Sequence, residues 1–173
     1  MPSAYGRHTI EAMGRTADYS KESCTVAGAL SVVGDPWTLL ILRDAFGGAT
    51  RFEQWQNHLG VARNVLAARL KSLVAHGVLT TSLYSQHPPR REYTLTSKGR
   101  DLMPVLVTLH AWGEAHVFGA GCAPTQFVHT GCGQVLEPRL TCSCCGAVVS
   151  SGDLRAIQCE AMTTVGEAMA ADA

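Results

Sequence analysis

The chain has 173 residues, 46% apolar and 16% charged, and its 14 Lys/Arg balance 14 Asp/Glu. A chain this apolar can bury a core, which excludes wholesale disorder, and it contains no run of about eighteen apolar residues that would span a membrane. The opening MPSAYGRHTI has no apolar signal core, so a cytoplasmic address is expected. In that compartment seven cysteines, most of them at or after Cys122, point to metal or redox chemistry more than to disulfides.

Residues 1–20 lack periodicity and read as a flexible N-terminal arm. A short helix is predicted over 23–33, capped by Ser23 and ended by Gly34. Asp35-Pro36 starts the next helix, with an acid at the cap and proline where a missing N–H costs nothing. It carries Trp37, Leu40 and Ile41 and stops at Gly47-Gly48. A third helix, roughly 51–58, spaces Phe52, Trp55 and Leu59 by three and four. Gly60 makes a turn into a fourth, 62–76, with the stripe Leu66, Leu70, Leu73. Two helices joined by a short glycine turn are the mark of a helix-turn-helix.

The period then changes. In 78–84 Leu79, Thr81 and Leu83 alternate, and in 91–96 Tyr93 and Leu95 do, which predicts a hairpin with a stiff basic tip over 85–90. Thr96 should cap a long helix with Leu102, Val105, Leu106, Leu109 and Gly113 on one face, kinked at Pro104. Residues 119–126 read as a linker, 127–155 as a Gly- and Cys-rich element, and 156–173 as a tail, frayed or ending in a short Ala-rich helix. No long repeat or low-complexity tract is apparent. The fold expected is mainly α with a small β-hairpin wing: a winged helix-turn-helix over 21–118, followed by a C-terminal zinc-ribbon-like element.

Charge is unevenly distributed. Residues 43–100 hold nine Lys/Arg against Asp44, Glu53 and Glu92, a balance of +6, whereas the chain from Gly119 onward balances at −3. A helix fits the DNA major groove, where arginine suits guanine and asparagine suits adenine. Opposite its leucine stripe the fourth helix offers Arg63, Asn64, Ala67, Ala68 and Lys71, with Arg63 and Asn64 as base readers; Arg69 and Lys71 are the candidate phosphate contacts. Arg90 and Arg91, beside Pro88-Pro89, are placed to enter a minor groove or clamp the backbone. Arg51 is a further candidate contact, or holds the turn before the third helix. The three tryptophans are read as core or dimer residues.

Residues 24–117 resemble the HxlR-type branch of bacterial winged-helix transcriptional regulators. The resemblance is carried by C-x-V-A-x-A-L from Cys24, G-D-P-W-T-L-L-I-L-R-D from Gly34, and R-F at Arg51. It continues with G-V-A-R-N-V-L-A-x-R-L from Gly60, H-G-V-L from His76, P-P-R-R-E-Y-x-L-T from Pro88, K-G at Lys98 and A-W-G from Ala111. It implies a homodimer built through the first and last helices, bound to double-stranded DNA at a roughly twofold operator. Many members begin the recognition helix with Ser-Pro, where this chain has Ala62-Arg63. The resemblance also implies that a cysteine in the place of Cys24 senses oxidants or electrophiles; the plain alternative is a small side chain packed at the dimer interface. A small-molecule effector between the helices is the other route to control. The competing reading of the whole is a winged-helix protein-interaction module without DNA.

The tail reads H-T-G-C-G from His129 and T-C-S-C-C-G from Thr141. His129, Cys132, Cys142 and Cys145 form two x2-spaced pairs, each followed by glycine, a donor set and spacing suited to structural tetrahedral zinc. Cys144 is a spare thiol. A zinc deaminase needs His-x-Glu, but Gly131 occupies the glutamate position. Around Cys132 the glycines lack the following helix of a dinucleotide site. No nucleophile–base pair is legible, so no enzyme is expected.

Overall fold

The computed structural model describes residues 18–119, 123–157 and 164–171, so most of the expected N-terminal arm and part of the expected linker and tail lie outside the described residues. The chain divides into two units, residues 1–35 with 162–173, and residues 36–161.

The smaller unit holds helix α1 (Thr25–Val33) and the C-terminal helix (Val165–Ala171), which pack on each other. Ala27 and Val165 are buried. The Val165 N–H donates to Glu22 O at 2.8 Å, and the Ser31 hydroxyl donates to Gly28 O at 2.6 Å and reaches the Met169 sulfur at 3.4 Å. The expected Ser23 cap is corrected: Cys24 holds the N-cap position in extended conformation, and no side chain caps the helix. The C-terminal helix supports the Ala-rich reading of the tail.

In the larger unit, α2 (Pro36–Phe46), α3 (Phe52–Leu59) and α4 (Arg63–Ala75) enclose Ile41, Leu42, Trp55, Val61, Leu66, Leu70 and Leu73, all nearly inaccessible to solvent. The two faces predicted by spacing meet here. Trp55 centres the cluster; its indole N–H donates to Ile41 O at 3.0 Å and its ring meets Tyr93 edge-on. Gly60 turns the chain between α3 and α4 with a left-handed φ of +62°. The Gln56 amide donates to Val61 O at 2.6 Å and pins that turn.

Strands β1 (Leu79–Gln86) and β2 (Pro89–Leu95) form the wing. They pair antiparallel from Leu79↔Leu95 to Gln86↔Pro89, with a bulge between Leu83 and Ser85. Pairing therefore consumes most of the loop expected over 85–90. The alternation also breaks at the bulge, and Leu83 is exposed. The wing is anchored beside α3, where the Tyr93 N–H donates to Thr50 O at 2.7 Å and the Arg51 and Glu92 backbones pair as an isolated antiparallel β-bridge.

The Thr96 hydroxyl accepts from the Gly99 N–H at 3.1 Å, as a cap should, but the helix it starts is only α5 (Ser97–Arg100). A Cβ on Gly99 would collide with the Val78 carbonyl, so glycine is required there. The single kinked helix is corrected to two: α6 (Met103–Gly113) begins afresh with Pro104 in its first turn, where proline fits, and continues as a π-helical turn (Glu114–Phe118). Val107 is buried, whereas Val105, Leu109 and Trp112 are exposed. We label the C-terminal helix α7. No single described helix is long and apolar enough to cross a membrane.

Candidate nucleic-acid interface

No side chain caps the start of α4. Arg63 and Asn64 are exposed in its first turn, beside backbone N–H groups that have no helical partner and favour anions. The Arg63 guanidinium lies over the Phe52 ring at 4.9 Å, which steers it without consuming its hydrogen-bonding edge. Ala67 continues the same outward face. Across an open cleft of about 500 Å³ stand Tyr84, Arg90 and Arg91 of the wing. Arg91 donates to the Thr81 hydroxyl at 3.1 Å and Arg90 is exposed at the tip.

The predicted residues divide accordingly. Arg63, Asn64, Arg90 and Arg91 share one cleft. Lys71 is exposed on the outer face of α4. Arg51 is exposed with its guanidinium 4.5 Å over the Tyr84 ring, and Gln54 Oε1 accepts from its backbone N–H at 2.8 Å. It therefore braces the base of the wing while keeping its charge on the surface. Arg69 is half-buried with its Nε enclosed.

Several participants were not singled out from the sequence. Phe52, Tyr84 and Tyr93 line the cleft, and Glu53 adds a carboxylate to it; such a group accepts from the cytosine amine and repels phosphate. Behind the helix-turn-helix, Asp44 is buried. It takes Arg43 at 2.8 Å on one oxygen and His58 Nδ1 at 2.8 Å on the other, tying α2 to α3. No short motif marks that pair, because the partners are fourteen positions apart.

The other predicted groups lie elsewhere. Cys24 is exposed in the smaller unit. Residues 127–136 and 140–149 form two small hairpins, bridged at Val128↔Val135 and Thr141↔Val148. His129 Nδ1 and Cys132 Sγ are 3.3 Å apart. Backbone N–H groups of Cys145 and Cys144 hold the Cys142 thiol below its ordinary pKa. Among the described residues, no three of His, Cys, Asp and Glu gather as a metal cluster, so the four expected ligands stand as two pairs.

The sequence model of the HxlR-like helix-turn-helix family matches residues 32–119. An uncharacterized HTH-type transcriptional regulator of Mycobacterium tuberculosis is 42% identical over 130 residues, 75% of this chain and 82% of the relative. A counterpart from Synechocystis is 35% identical over 92 residues, 53% of this chain and 68% of the relative. Among solved structures, PA1607, a candidate transcription factor, superposes with a TM-score of 0.72 at 39% identity, covering 81% of this chain and 98% of that one. PA1374 from Pseudomonas aeruginosa, described in the same terms, gives a TM-score of 0.59 at 33% identity, covering 81% and 95%.

Proposed function

This chain belongs to the HxlR-like helix-turn-helix family and is a DNA-binding transcriptional regulator, and we propose that it acts in the cytoplasm as a homodimer on a pseudo-palindromic operator. The observation that carries the docking mode is the shared cleft. Arg63 and Asn64 from α4 and Arg90 and Arg91 from the wing line one open space. With α4 in the major groove, its first turn meets base edges while the wing lies along the flanking backbone. Lys71 and Arg51 extend the cationic margin.

A homodimer is supported by apolar surface left uncovered in the single chain. Val105, Leu109, Trp112, Val117 and Phe118 are exposed along α6 and the turn that follows it, and Val26 and Leu30 along α1. Apolar residues grouped along one element in this way mark an association surface. A symmetric dimer presents two recognition helices about one DNA turn apart, roughly 34–36 Å, and so reads a twofold site.

For control of binding, Cys24 is the favoured residue. It is exposed and sits at the N-cap of α1, open to reagents in solution. Attack on an electrophile, or oxidation, would place a new group beside the proposed dimer helix. A small molecule is the alternative effector. No catalytic role is assigned.

The test is to recover operator sequences from random genomic fragments with the purified protein and then titrate salt. A DNA-binding dimer loses affinity linearly in log[salt] through counterion release; a protein-interaction module has no such slope. Comparison of wild type with Cys24→Ser before and after mild oxidant checks the control reading. Equal responses would make Cys24 a packing residue.

A further inference from the structure

The two hairpins of the Cys-rich element are one motif written twice, thirteen positions apart. Val-His-Thr-Gly-Cys-Gly-Gln-Val (128–135) matches Thr-Cys-Ser-Cys-Cys-Gly-Ala-Val (141–148) position by position. The backbone repeats with the sequence. The outer bonds, Leu136 N–H to Phe127 O and Val149 N–H to Leu140 O, are both 2.8 Å, and the inner bonds, His129 N–H to Gln134 O and Cys142 N–H to Ala147 O, are both 2.9 Å. The N–H groups of Gly133 and Gly146 each return to the first residue of their turn at 2.8 Å. Both glycines are left-handed, with φ of +72° and +73°.

What this shared turn does is bring its first and fourth side chains to one side. In the first hairpin His129 Nδ1 stands 3.3 Å from Cys132 Sγ. Two donors on one tetrahedral zinc, with bonds of about 2.0 Å to nitrogen and 2.3 Å to sulfur, are roughly 3.5 Å apart. The pair is therefore already close to the bite of the metal. The third position of each turn explains the remaining residues. A Cβ on Gly131 would lie 2.9 Å from the His129 ring, so glycine there leaves the imidazole its place without a shift. The second turn carries the shorter cysteine in place of the histidine, and its third position is Cys144, exposed at the turn.

We propose that the two turns are the halves of one structural zinc site, with His129, Cys132, Cys142 and Cys145 of a single chain as its ligands and Cys144 left outside. Three thiolates and an imidazole close a tetrahedral shell with no open position. The two pairs stand apart among the described residues, so coordination folds one hairpin onto the other across residues 137–139. The energetic case agrees. None of the described residues from 123 to 157 is buried, and isolated two-stranded hairpins are marginal in water. A metal supplies the missing stability in elements of this size.

The experiment uses the full chain, purified under reducing conditions and loaded with zinc or cobalt. Elemental analysis is expected to give one zinc per chain, and the cobalt form the visible bands of a tetrahedral thiolate complex. Cys132→Ser and Cys145→Ser each lose the metal, while Cys144→Ser and His129→Cys keep it. In hydrogen exchange the amides of residues 129, 136, 142 and 149 slow only when metal is bound. Absence of metal overturns the proposal, as does its retention in both Cys132→Ser and Cys145→Ser. One zinc per two chains overturns the single-chain site in favour of a bridge between copies. Cooperative melting of the winged helix, followed in parallel, shows that a variant lacking metal is otherwise folded.

Discussion

The larger unit contains two regions held together by different forces. In the winged helix, Trp55, Ile41, Leu42, Leu66, Leu70 and Leu73 are essentially removed from water, and burial at about 25 cal/mol per Å² dominates. In the Cys-rich element no described residue is buried, and Val128, Val135, Leu140 and Val148 are all about half exposed or more. Its order rests on short backbone hydrogen bonds, each worth only about 1 kcal/mol net. The same chain thus uses a hydrophobic core where it docks on DNA and local turn geometry where it carries its thiols. The first region has a buried core of its own, whereas the described residues of the second have none.

The widest gap between the regions should appear on truncating an apolar side chain in each. Trp55→Ala removes a fully buried indole, its bond to Ile41 O and its edge contact with Tyr93, at a cost of about 3–5 kcal/mol. Val148→Ala, on an exposed strand, should stay within about 0.5 kcal/mol. Chemical denaturation of the winged-helix transition measures both. A loss above 2 kcal/mol for Val148→Ala would show a hidden apolar contact and break the contrast.

DNA binding should follow the same division. Arg63→Ala and Asn64→Ala are expected to cost roughly 1–3 kcal/mol each on the operator and to relax its sequence preference. Lys71→Ala and Arg90→Ala should weaken all sequences alike and reduce the salt slope by about one. Arg139, in the Cys-rich element, pairs with Glu137 at 3.4 Å and should leave the slope unaltered when replaced by alanine. Fluorescence anisotropy over a salt series reads all five. A reduced slope for Arg139→Ala would place the Cys-rich element on the DNA.

The sequence made the first region legible because its residues repeat at helical spacing. Leu66, Leu70 and Leu73 fall on one face by arithmetic, and Gly60 and Gly77 mark the ends. Asp35-Pro36 likewise placed α2. What failed depended on tertiary partners. Pro104 suggested a kink because spacing cannot reveal that the chain breaks between Arg100 and Met103, where Gly99 must approach the Val78 carbonyl. Arg69, on the flank of the leucine stripe, has its Nε enclosed by neighbours that helical spacing alone does not name. Tyr84 gained its place under Arg51 through a bulge that period-two alternation does not register. In the second region the ligand spacing was plain, but the thirteen-residue repeat was hidden by the exchange of His129 for Cys142 and Gly131 for Cys144.

A smaller effect separates a buried polar tie from an exposed one. Asp44 is nearly inaccessible, but Arg43 and His58, its partners, are 47% and 66% exposed. Replacing Asp44 with alanine lets both partners return to water, so no buried charge is stranded. The expected cost is about 1–2 kcal/mol from the lost hydrogen bonds, well below that of Trp55→Ala. Thermal melting checks it. A cost as large as the tryptophan's would mean that the α2–α3 tie, not the apolar cluster, organises the winged helix.

The smallest effect concerns pH and the turn that follows the second hairpin. The Asp153 carboxylate accepts from the Ser150 hydroxyl at 2.7 Å and from the Ser150 N–H at 2.8 Å. Both bonds favour the charged form and hold its pKa below the ordinary 3.8. A carboxylate lowered on folding contributes stability that is present above its unfolded pKa and is lost as pH falls through the folded one. The Ser150–Asp153 turn should therefore be intact at neutral pH and loosen only in strong acid. Because the carboxylate is fully solvent-exposed, the loss is local. The Ser150 amide, followed by NMR on descending pH, should shift with a midpoint below 3.8, and Asp153→Asn should abolish that transition. The indole N–H of Trp55, buried against Ile41 O, should not report it. If both signals move together, acid acts on the two regions as one cooperative unit, and the contrast between a self-sufficient core and an independently held Cys-rich element fails.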